Sequence, residues 1–154
     1  MFVGWTLHTA EDEIVGVIFP ILPHHLQRFL KERKKVFVKY LCQDVPPEKL
    51  LVGSKLFFYQ SRSNKEIVGE ARIGQISDGT VEEVLAKFGN DLFLTRNELE
   101  LYAGNRIRKR MLVLVLEEVK HYTAPLKLGR SVTMAGQYMT RNMLSNLKAG
   151  CESR

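Results

Sequence analysis

Cysteine is nearly absent. Only Cys42 and Cys151 occur in 154 residues, far apart, with no CxxC pair and no Cys/His cluster. That argues against both a clustered zinc site and a small secreted domain built on disulfides. Long apolar runs are missing too. MLVLVL, residues 111–116, is among the longest and falls far short of a bilayer span. The start, MFVGWTLHTAEDE, lacks the basic beginning and extended apolar stretch of a signal peptide. The expectation is a cytoplasmic protein with no membrane partner. Catalytic templates are equally scarce: there is no GxSxG, no P-loop and no GxGxxG. No cofactor is expected.

What is present suits one ordinary folded domain. The chain is 45% hydrophobic and 26% charged. Lys and Arg number 23 against 17 Asp and Glu, a formal net charge of +6. That balance favours anionic partners and says nothing of fold. Residues 1–13 end in an acidic run and read as an N-terminal extension. Residues 14–154 read as a single domain.

Hydrophobic period gives the elements. IVGVIF, 14–19, is a β-branched strand run. LPHHLQRFLKER follows as a helix: Pro23 suits its first turn, and Leu22, Leu26, Phe29 and Leu30 share a face. QDVPPEK, 43–49, is a loop. LVGSKLFFYQSRS and IVGEARIGQIS pair as strands, with Gly69, Ala71 and Ile73 leaving room for a close neighbour. TVEEVLAKFG is a short helix from Thr80 to Gly89, and Thr95 with Glu98 forms a capping box for another. RMLVLVLEEVKHY, 110–122, reads as a central strand, and TAPLKLGRS as a loop. Ala135, Met139, Met143 and Leu147 recur every four residues, which predicts a closing helix over 133–148.

KERKKVFVKY, 31–40, carries the main functional question. As a strand it places Val36, Val38 and Tyr40 on one face and Lys35, Phe37 and Lys39 on the other. The second face is either a binding surface or an edge that carries Lys against aggregation. Further cations stand at Arg62, Arg72, Arg106, Arg108 and Lys109, with rings at Phe37, Tyr40, Tyr59 and Tyr102. Cations for phosphates and rings for base stacking are what single-stranded nucleic acid requires. Lys35, Lys39, Arg62, Arg72, Arg106 and Lys109 are therefore the candidate contacts, with Phe37 and Tyr59 as stacking rings. Lys39 and Glu70 are the candidate catalytic pair if there is chemistry. His24 and His25, neighbours in an exposed first turn, are expected to point apart, so no metal site is expected.

The order of these elements, with the pattern GxKLxxYxS…xIxGEAxI at Gly53–Ser61 and Glu66–Ile73, resembles the PUA-like superfamily of PUA, ASCH and EVE domains. It is most similar to an uncharacterised archaeal family of small proteins there, over roughly residues 14–128. The resemblance implies an α+β fold: a twisted, mostly antiparallel, barrel-like sheet with flanking helices. It implies RNA or a modified base as ligand, in a cleft between the sheet and the helix after the first strand. Some ASCH relatives are amidohydrolases with a Gly-x-Lys-x-x-Glu-x-Arg motif, so the alternative is a small hydrolase of a modified nucleoside. Here Gly53, Ser54 and Lys55 begin that motif, but Phe58 and Gln60 replace its acid and its Arg. Glu70, on the neighbouring strand, would have to supply the carboxylate.

Overall fold

Leu56, Phe57, Phe58 and Tyr59 are consecutive, and all four are buried. Successive strand residues point to opposite faces, so such a run requires cover on both sides of its sheet. A computed structural model, describing residues 13–40, 50–60, 65–133 and 136–152, shows that cover. Most of the N-terminal extension, the 43–49 loop and Arg62 lie outside the described residues.

Six strands form one mixed sheet: β1 (Ile14–Pro20), β2 (Val36–Lys39), β3 (Lys55–Gln60), β4 (Glu66–Gly79), β5 (Met111–Lys127) and β6 (Gln137–Thr140). Their order is β2-β5-β4-β3-β1-β6, and only β1 with β3 is parallel. The expected α+β class and antiparallel bias therefore hold. The expected barrel does not: among the described residues the sheet is open, with β2 and β6 as its edges.

The helices are α1 (Pro23–Lys31), α2 (Val81–Phe88), α3 (Arg96–Ala103) and α4 (Arg141–Glu152). Pro23 starts α1 as read. Thr80 with Glu83, and Thr95 with Glu98, close reciprocal capping boxes on α2 and α3. One core packs α1, α2 and α3 on the face that carries Leu56, Phe58 and Phe19. The other packs Met143, Leu144 and Leu147 of α4 against Phe57, Tyr59 and Ile18. Each large apolar side chain removed from water contributes about 1.5–3 kcal/mol, so both layers matter.

Two elements differ from the reading. Strand β5 runs on through Lys127, because Leu126 and Lys127 pair with Ile67 and Glu66. Pro125 is tolerated because the ladder is interrupted between the His121–Gly69 and Leu126–Ile67 pairs. The four-residue stripe also misleads. Met139 belongs to β6, paired with Gly16, and the helix begins only at Arg141. Buried strand residues can mimic a helical period when a helix follows directly. The small face of β4 behaves as expected: a Cβ on Gly69 would lie 2.4 Å from the Lys120 carbonyl oxygen.

Candidate ligand cleft

Strand β2 does not alternate as read. Val36, Phe37, Val38 and Lys39 are all buried. Phe37 stacks on Phe93, with ring centroids 5.1 Å apart, and on Phe19 at 5.7 Å. Val36, Phe37 and Val38 all join the first core and Lys39 sits over Phe19, which erases the polar face that period two would otherwise leave. Lys35 and Lys39 therefore form no common lane. Lys35 is exposed and lines an open groove of about 550 Å³ beside Arg33 and Lys34. Lys39 is 3% exposed and lines a different cavity.

That cavity, about 410 Å³, lies between the start of α1, strand β2 and the Phe93–Tyr102 segment. Its size falls in the range of small-molecule sites. Phe37, Phe93, Leu94 and Tyr102 supply apolar and aromatic lining. Lys39 Nζ sits 5.2 Å from the Phe19 ring centroid, within cation–π range. Among the described lining residues Lys39 is the only Lys or Arg. The cleft is thus mainly apolar and aromatic, with one ammonium and a rim of His24, His25 and Glu98, where a basic cleft with stacking rings is expected.

Behind Tyr102 the architecture is polar and fixed. The Tyr40 backbone N–H donates to the Tyr102 hydroxyl at 2.8 Å, and the Tyr40 hydroxyl donates to the Arg106 carbonyl at 2.9 Å. The Arg106 guanidinium lies over the Tyr40 ring, 4.2 Å from its centroid. Burial raises the Tyr40 pKa against the opposing Arg106 charge. Lys109 is exposed nearby in sequence, its backbone N–H bonded to the Arg106 carbonyl.

His24, His25 and Glu98 form the cleft rim. Arg28 donates both terminal nitrogens to Glu98, at 2.5 and 3.0 Å. That fork, with the Thr95 amide, holds the Glu98 pKa at about 2 despite partial burial. Burial, then the His24 and Arg28 charges, lowers His25 below its ordinary value, against the pull of Glu98. The two imidazoles do not point apart as expected: their centroids are 4.2 Å apart, and both converge on Glu98. The sequence marks Glu98 only as a helix cap, and Phe93 lies in a loop without period. The signal for Glu98 was present, since a capping-box acid sits at a helix start, where side chains from neighbouring elements can reach it.

The other candidates sit elsewhere. Tyr59 is 1% exposed, in the second core, and its hydroxyl donates to the Arg130 carbonyl. It offers no ring to a base. Arg72 is exposed and pairs with Glu117 at 2.9 Å. Glu70 is 7% exposed and accepts from Lys55 at 2.6 Å and from the Tyr122 hydroxyl at 2.7 Å. Burial pushes Glu70 up, but the hydrogen bonds and charge of its partners leave it below its ordinary value. Burial and Glu70 together push Tyr122 far above the usual phenol range. Glu70 is the cross-strand partner of Phe57, whose side chain joins the second core. Lys39 sits over Phe19, in the first. The supposed catalytic pair is therefore divided by the sheet.

Among the described residues no helix is long and apolar enough to cross a membrane. This arrangement of sheet and helices is that of solved ASCH-type structures. ASCH from Zymomonas mobilis matches with a TM-score of 0.71 at 14% identity, covering 88% of this chain and 94% of that one. A hypothetical protein from Leishmania major matches at 0.53 and 13% identity, over 93% and 98%. At 13–14% identity these likenesses show a shared fold, that of the ASCH structure. The chain belongs to the family described as domain of unknown function DUF365, whose model matches residues 14–141. The uncharacterized protein MJECS03 of Methanocaldococcus jannaschii is 28% identical over 95 residues, 55% of this chain and 88% of that protein.

Proposed function

We propose that this protein is a cytoplasmic RNA-binding domain that seats a single base, standard or modified, in the 410 Å³ cleft. One observation carries the reading: the Lys39 ammonium stands in the wall of a cavity lined mainly by apolar and aromatic side chains, with His24, His25 and Glu98 at its rim. A splayed-out base needs apolar and aromatic surface together with a donor for its edge or its phosphate, and this cleft offers both. Arg106, stacked on Tyr40 next to the cleft wall, is the candidate phosphate contact outside it. The net charge of +6 supplies the long-range attraction. The ASCH-type fold supports the reading at the level of fold alone. Hydrolysis of a modified nucleoside by Lys39 and Glu70 is not supported, because the two groups open to different faces.

The test is fluorescence anisotropy with labelled single-stranded RNA over a salt series, with a duplex of the same sequence alongside. Salt-dependent preference for the single strand is the expected result. Equal affinity for the duplex, or no binding at low salt, would overturn the reading.

A further inference from the structure

The cleft rim brings together three side chains that the RNA reading does not use. We propose that His24, His25 and Glu98 form a three-ligand site for a zinc-like divalent cation, with its remaining coordination position open to the cleft. One ligand atom from each residue lies within 4.8 Å of the others. The His25 Nε2 to Glu98 Oε2 distance is 3.9 Å. That is too long for a hydrogen bond. For this pair tetrahedral closure to about 3.4 Å, with each donor about 2.1 Å from the ion, asks for roughly half an ångström of side-chain movement, and a pair at the 4.8 Å bound asks for about 1.4 Å.

The lone pairs of Glu98 point the same way. Oε1 already accepts from Arg28 at 2.5 Å and from the Thr95 amide at 2.8 Å. Oε2 accepts from Arg28 at 3.0 Å and carries one further lone pair, on the oxygen nearest His25. Arg28 thus holds the carboxylate as hydrogen-bonding partners hold ligands in metal centres. His25 is oriented as well, with its ring edge-on to Phe93 at 5.4 Å and 82°. All three donors line the cleft. Three protein ligands with an open position make a site for exchangeable chemistry, not a closed structural one.

Two features oppose any cation here: the positive end of α1, and the Arg28 guanidinium itself. They favour a metal whose bonds to imidazole are strong. Two nitrogens and one oxygen select zinc or cobalt over magnesium or calcium, which prefer oxygen ligands throughout.

The experiment is calorimetric titration of chelator-treated protein with Zn²⁺, then with Mg²⁺, for the native chain and for the His24→Ala/His25→Ala variant. One equivalent of Zn²⁺ should bind the native chain, at least about tenfold more weakly to the variant, with Mg²⁺ failing to compete. His24 is exposed, so His24→Ala alone preserves the fold and should still weaken binding. Co²⁺ added to labelled protein should broaden amide signals at residues 24–26 and 93–99 first. Undiminished Zn²⁺ binding by the double variant would assign the metal to other donors and overturn the proposal. Broadening centred elsewhere, or no Zn²⁺ binding by the native chain, would overturn it too.

Discussion

Lys39 Nζ lies 5.2 Å from the centroid of Phe19, at the wall of the aromatic cleft and 3% exposed. If that ammonium meets a phosphate or a base edge, Lys39→Met removes one charge-assisted contact while keeping the apolar stem. Affinity for single-stranded RNA should fall about tenfold or more. The slope of log K against log salt should become shallower by about 0.7 if the contact is to phosphate. Unchanged affinity in a folded Lys39→Met protein would remove the cleft from RNA binding.

Phe37 is a core ring, stacked on both Phe19 and Phe93. Phe37→Ala should cost about 3–5 kcal/mol of stability. For a chain of this size that lowers Tm by about 2–4 °C per kcal/mol. A variant that melts normally but binds RNA poorly would make Phe37 a base platform after all. Thermal melts beside anisotropy separate the two outcomes.

Glu70 makes stability pH-dependent in a stated direction. Its folded pKa lies below its ordinary value of 4.5, so it binds its proton less readily when folded. Its contribution is therefore complete above that ordinary value and fades as pH falls through the lower, folded one. Glu70→Gln loses the charge-assisted bond from Lys55 and should cost about 1–3 kcal/mol at pH 7. Urea unfolding of both proteins from pH 7 to pH 3 should show the gap narrowing at the acid end. A gap that widens on acidification would contradict the assignment.

Gly69→Ala tests how closely β4 and β5 approach. The new methyl would meet the Lys120 carbonyl oxygen at 2.4 Å, and that neighbour is backbone with little freedom to yield. A loss of about 1–3 kcal/mol is expected from overpacking. A denaturation midpoint equal to that of the native chain would show that the strands can part at no cost.

Local rules were legible where the chain decides locally. Thr80 and Thr95 announced their helices because each carries its own capping partner three residues on. The face of β2 was not legible. Whether Lys39 meets water or a cavity depends on α1 and α3, which are remote in sequence and cover the edge strand. Met139 is ambiguous for a related reason, since four-residue spacing cannot separate a buried strand from the helix that follows it. The rim cluster joins residues 24, 25 and 98, about seventy positions apart, and no pattern within a short window contains it.

Residues 14–18 of β1 pair with residues 137–140 of β6, close to the two ends of the described chain. At a synthesis rate of about 5–20 residues per second, β1 must wait roughly 6–24 s for that partner to be made. Until then β1 has only the parallel β3 beside it, and its other edge is open. The sheet therefore completes late, by a long loop closure, which favours slow folding. In that interval the unpaired edge of IVGVIF is open to capture by another nascent chain.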